Sequence, residues 1–124
     1  MWILFVLAGA APNAGESHAF SLQWIDGKGV ATVAADGPKT VIIGKHTGKN
    51  GDFISINGAI EQPGETGFTF VGVIITQVSY IAGGKACTRD GTFTFRATGK
   101  RKYWRMKENT NPCDEVVDYV DIYF

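Results

Sequence analysis

Two histidines, His18 and His46, two cysteines, Cys87 and Cys113, and four acids, Asp114, Glu115, Asp118 and Asp121, are the side chains best suited to chemistry in this chain. A histidine can act as a general base near neutral pH. No GxSxG or reactive-cysteine signature accompanies either one, so each reads as a lone surface histidine. The four acids could offer oxygen ligands to calcium, but in a strand Asp118 and Asp121 point to opposite faces and do not converge. No metal is assigned. GKHTGKN, residues 44 to 50, has the look of a phosphate loop, yet three residues separate Gly44 from Gly48 where four are needed, and neither Ser nor Thr follows Lys49. It reads as a hairpin turn. Gly27-Lys28-Gly29 is likewise a tight turn, without the third glycine or following helix of a dinucleotide site. These residues support no catalytic assignment and no cofactor, and the chain reads as a non-enzyme.

The cysteines are better explained by structure. Two is the smallest number that can close a bridge, and in an exported chain a disulfide is the default. A Cys87–Cys113 bridge would close a loop of about 25 residues and contribute about 3 to 4 kcal/mol by loop entropy. Metal or redox use is the rival reading, but there is no CxxC and both histidines are distant in sequence. The N-terminus points to export as well. Trp2 to Ala11 is an uninterrupted apolar run of ten residues, with no charge before Glu16. That is too short for a membrane-spanning helix, which needs about 20. It fits the apolar centre of a signal peptide over residues 1–11, with Ala8-Gly9-Ala10 as cleavage site, although the basic residues that usually precede such a run are missing. A buried first strand or helix is the alternative. A secreted or periplasmic location is expected.

The rest of the chain has one dominant period, and that period is two. Phe20, Leu22 and Trp24 alternate with Ala19, Ser21 and Gln23, and turns at Asp26–Gly29, Ala35–Pro38, Thr47–Gly51 and Pro63–Gly67 separate further alternating runs. Ile54, Ile56 and Ile60 share a face. FTFVGVIITQVSYI is apolar on both faces at its centre and should be a central or curved strand, bent at Gly72. TFTFRA, KYWRMK and VVDYVDIYF follow. With 16 glycines and no capped helical window, residues 18–124 predict one all-β domain: a small antiparallel eight-stranded barrel, or a closely related sandwich, with one disulfide.

GKRKYWRM, residues 99–106, could be a nucleic-acid grip or a hairpin. The chain balances 12 Lys and Arg against 12 Asp and Glu, which disfavours a protein devoted to polyanions. A two-residue turn at Gly99-Lys100 would pair Phe95 with Trp104, Phe93 with Met106 and Thr94 with Arg105. Carried into the last segment, the register pairs Trp104 with Tyr119, Met106 with Val117, Arg105 with Asp118 and Lys102 with Asp121. The charges are then answered within the chain, and no nucleic-acid binding is expected. One flaw remains: Val120, Ile122 and Phe124 fall on the face of Arg105, which requires a bulge or something that covers that edge.

CTRDGTFTFRATGKRKYWRM, NPC and DYVDIYF, within residues 51–124, resemble an uncharacterised family of small exported bacterial β-proteins. The resemblance implies no activity and no site residues. In architecture alone the chain is similar to lipocalin and avidin barrels, a likeness that does not carry function. Three readings follow. The first is a non-catalytic exported barrel that binds a small apolar or aromatic ligand at a mouth lined by Trp24, Phe95, Trp104 and Tyr119, weighed against a barrel that is simply full. The second is an interaction, inhibitor or envelope accessory protein that uses the edge Val120, Ile122 and Phe124. The third is a small outer-membrane barrel, disfavoured because most strands are short and no aromatic girdles are visible.

Overall fold

Alternation gives each strand one face to bury, and eight such strands can bury it by curling into a cylinder whose interior is just wide enough for side chains. The computed structural model, which describes residues 10–124, does this. The strands are β1 (Ser17–Leu22), β2 (Gly29–Asp36), β3 (Lys39–Thr47), β4 (Phe53–Glu61), β5 (Gly67–Gln77), β6 (Cys87–Arg96), β7 (Tyr103–Met106) and β8 (Val120–Tyr123). They pair antiparallel in chain order, and β8 closes onto β1. The all-β, eight-stranded antiparallel barrel expected from the sequence is thus realised as a closed barrel rather than a sandwich. The signal-peptide reading falls mostly outside the described residues; of those described, Ala11 packs against the core and Pro12 is buried.

The interior is made by the predicted period. Phe20 and Leu22 of β1, Ile42 of β3, Ile54 and Ile56 of β4, Phe70 and Ile74 of β5, Phe95 of β6 and Trp104 of β7 are all fully buried. Phe68 stacks on Phe95 at 5.2 Å between ring centroids and meets Trp104 edge-on at 5.5 Å. Gly72 lies in a row with Gly58 and Gly91 across β4, β5 and β6. A methyl at Gly72 would come within 2.6 Å of the Gly58 Cα and 2.8 Å of the Phe70 ring. The missing side chains let the sheet bend tightly, and Phe70 fills the hollow.

Both expected registers at the C-terminal end are corrected. Between β6 and β7, Phe95 pairs with Met106 and Arg96 with Arg105. The connection spans residues 97–102 instead of a two-residue turn. This is a slip of two, which preserves the faces. Between β7 and β8, Trp104 pairs with Ile122, Tyr103 with Tyr123 and Arg105 with Asp121. This is a slip of three, and an odd slip exchanges the faces. Val120 and Ile122 therefore enter the core, while Tyr119 goes outside. No bulge or cover is needed. Asp118 and Asp121 stand three residues apart, so a slip of three still leaves Arg105 opposite an acid. Charge could not choose the register; burial of Val120 and Ile122 could.

The two strands β6 and β7 are unequal. β6 has ten residues and β7 four, so Cys87 to Thr94 of β6 have no β7 partner. The connection between β7 and β8 seals that part of the wall. The Lys107 N–H donates to the Thr94 carbonyl at 2.8 Å, and the Glu108 carboxylate accepts the Thr94 N–H at 2.7 Å. Thr110 bridges Val117 within the connection. The Cys87–Cys113 disulfide, with Cα atoms 6.1 Å apart, ties the connection to the start of β6.

Candidate functional site

Beside the disulfide lies a buried polar hub. On β6 the inward positions run Cys87, Arg89, Gly91, Phe93 and Phe95, which places a guanidinium inside the wall at 5% exposure. Burial of such a charge is unfavourable unless it is paired. Arg89 Nη2 donates to Asp118 Oδ2, and Asp118 is itself 1% exposed. Asn111 Nδ2 donates to the same oxygen at 2.9 Å, and Trp24 Nε1 donates to Asp118 Oδ1 at 2.8 Å. Asn111 Oδ1 in turn accepts the Cys113 N–H at 2.8 Å. Arg89 Nε and Nη1 find no partner among the described residues. Strand β6, the β1–β2 connection and the β7–β8 connection thus converge on one carboxylate.

A second polar arrangement lies on the outer face, made by the basic stretch that the sequence singled out. Trp104 points inward, and its neighbours Tyr103 and Arg105 point outward. Arg105 donates from Nε and Nη2 to the two oxygens of Asp121 at 2.9 and 3.0 Å. The hydrogen bond to Asp121 raises the pKa of Arg105 above its already high ordinary value. The same guanidinium lies 4.1 Å from the Tyr119 ring centre and 5.1 Å from that of Tyr103. Tyr103 sits 5.3 Å from Tyr123, and Lys28 covers Tyr123 at 3.8 Å. Cations and aromatic rings therefore form a ladder across β7 and β8. Arg96, Thr98, Arg101, Lys107 and Asn109 join Arg105 and Tyr119 around an open cleft of about 650 Å³.

The residues expected at a ligand mouth do not line one opening. Phe95 and Trp104 are 0% and 1% exposed in the core. Trp24 lies in the β1–β2 connection, packed on the core and bonded to Asp118, while the ring of Tyr119 lies against the Arg105 guanidinium. The expected edge is also absent: β8 is paired on both sides, and Val120 and Ile122 are fully buried. Phe124 is 38% exposed, with its ring 4.9 Å from Trp104. His46 is a core residue rather than a surface one. Its Nε2 lies 3.0 Å from the Asp26 carbonyl, and its Nδ1 accepts the Leu22 N–H at 3.4 Å. His18 is half-buried, with Nδ1 at 2.7 Å from the Tyr123 carbonyl and Nε2 at 3.1 Å from Glu16. Of the four acids, Asp114 accepts the Val116 N–H, Asp118 serves the hub and Asp121 holds Arg105.

The hub was missed from sequence. Its signal was present, since Arg89 has the same parity as Phe93 and Phe95, but the alternating run read from sequence begins only at Thr92 in TFTFRA.

Residues 8–124 match the PM1083 family. The chain belongs to that family. It is 48% identical over 109 residues, 86% of this chain and 71% of the relative, to "Uncharacterized protein PM1083" of Pasteurella multocida (strain Pm70). The match to this uncharacterised family covers nearly the whole chain, not the C-terminal half alone. No solved structure matches, so the analogy to lipocalin and avidin barrels is not confirmed. Among the described residues no helix is long and apolar enough to cross a membrane.

Proposed function

We propose that this chain is a non-catalytic, extracytoplasmic binding module that works from the outside of a filled barrel. The observation that carries the reading is the packed interior. Phe20, Phe70, Phe95 and Trp104 occupy the space that a ligand-carrying barrel leaves open, and displacing them would cost several kcal/mol of packing. This replaces the reading of an apolar ligand lodged among Trp24, Phe95, Trp104 and Tyr119. The disulfide and the apolar leader support a compartment that keeps thiols oxidised. The alternation also runs largely opposite to that of an outer-membrane barrel: the inward positions are mainly apolar, while Lys45, Ser55, Asn57, Asp90, Arg96 and Arg105 face outward around an apolar patch confined to Val30, Ile43, Val73 and Ile75. Both ring nitrogens of each histidine are engaged in structural contacts, which supports a non-catalytic role.

Titration of the folded protein with retinol, a C16 fatty acid and anilinonaphthalene sulfonate, read by tryptophan emission, tests the filled interior. No saturable binding tighter than about 10 μM is expected. Stoichiometric binding that shifts the emission of buried Trp104 would overturn the outer-surface reading. Osmotic-shock fractionation followed by intact-mass measurement should find the oxidised form in the extracytoplasmic fraction; cytoplasmic protein with two free thiols would contradict the compartment.

A further inference from the structure

The cleft beside the β6–β7 hairpin is more cationic than its structural work requires. Arg96 pairs directly across from Arg105, and like charges in that position disfavour the sheet. Arg105 is turned to Asp121 on β8, which leaves Arg96 unanswered. Arg96, Arg101 and Lys107 form no ion pair among the described residues. Two acids of the adjoining segments are otherwise engaged: Asp121 holds Arg105, and Glu108 accepts the Thr94 N–H. Glu65 borders Arg96 only in the neighbouring cleft. In a chain of zero formal net charge, this gathering is local and specific. Between the cations stand Thr98, Asn109 and Tyr119, whose side-chain polar groups make no hydrogen bond within the described residues, so neutral donors and acceptors alternate with charged ones.

We infer that this cleft binds an acidic saccharide, with Arg96, Arg101 and Lys107 on its carboxylate, sulfate or phosphate groups and Thr98, Asn109 and Tyr119 on its hydroxyls. The inference rests on the reading of the outer surface as the working face. Nucleic acid fits less well, because stacking on bases needs open aromatic faces, and Arg105 covers Tyr103 and Tyr119. An acidic peptide also fits less well, since Arg96 and Arg105 at the cleft already stand in paired strands and the unpaired stretch of β6 is covered by the β7–β8 connection, which leaves no open ladder for strand addition.

The test measures binding of the oxidised protein to a heparin-derived hexasaccharide and to hexagalacturonate. A neutral maltohexaose, poly-Glu and oligo-dT serve as controls, all at physiological salt. Saturable binding of at least one acidic hexasaccharide is expected, tighter than every control. Arg96→Glu/Arg101→Glu should weaken it about tenfold or more with the melting temperature kept or raised, because a carboxylate at position 96 would face Arg105. Failure of both acidic hexasaccharides to bind, binding unchanged in the variant, or equal binding of poly-Glu or oligo-dT would each overturn the inference. The interior titration above reads Trp104 and is independent of these two arginines. A negative result here therefore leaves the outer-surface reading standing, whereas a positive result there removes it.

Discussion

Arg89 and Asp118 show how a charge can sit inside a small barrel without opening it. The pair is nearly sealed, with side chains 4% and 2% exposed, and Asp118 gathers donors from Arg89, Asn111 and Trp24. Such a pair contributes little net stability against an apolar replacement, but loss of one partner strands the other charge. Arg89→Met should therefore destabilise the fold by about 3 to 5 kcal/mol, and Arg89→Met/Asp118→Leu by distinctly less than the sum of its parts. Urea melts of the two singles and the double provide the measurement. Simple additivity would mean that the carboxylate is held by Trp24 and Asn111 and owes nothing to the arginine.

The hairpin of β6 and β7 and its pairing with β8 turn on a choice that charge alone leaves open. Arg105 has an acid opposite it in the register read from sequence, where the acid is Asp118, and in the register of the fold, where it is Asp121. A double-mutant cycle on Arg105 and Asp121 should give favourable coupling of about 1 kcal/mol, because the contact is bidentate and Asp121 is buried. The coupling should fade as salt is added, though less than for a fully exposed pair. The same cycle on Arg105 and Asp118 should give coupling near zero. Reversed values would restore the sequence-derived pairing and with it the exposed placement of Val120 and Ile122. The inward faces of β1 and β4 were legible from alternation, as Phe20 and Leu22 on one and Ile54, Ile56 and Ile60 on the other, whereas β5 is apolar on both faces at its centre. β7 and β8 have four residues each, too few for alternation to pin a register across long connections.

The barrel as a whole is closed by two devices of different kinds. Most of the wall is backbone ladder, but beside Cys87 to Thr94 the partner strand is missing, and the disulfide, the buried hub and a few backbone hydrogen bonds hold the β7–β8 connection in its place. Removing the bridge frees a loop with a sequence separation of 26, for a loss of about 3 to 4 kcal/mol. That is a large share of the roughly 5 to 15 kcal/mol that keeps a small domain folded. Cys87→Ala/Cys113→Ala should lower the urea midpoint by a corresponding amount, and hydrogen exchange should rise first in residues 107–119, because that segment has few ladder bonds of its own. Uniform loss of protection around the barrel would mean that the connection does not open separately.

Fold class, strand number, the disulfide and the inward faces of β1 and β4 were determined by the sequence itself, because a period of two, turn residues at glycine and proline, and a single pair of cysteines are local signals. The tertiary structure alone decided the register of the last two strands, the entry of Val120 and Ile122 into the core, the burial of His46 and Arg89, and the gathering of Arg96, Arg101 and Lys107 around one cleft. Each of these depends on which distant segments meet when the barrel closes. Closure is settled by the burial of whole faces, a sum over the molecule that no stretch of residues carries by itself.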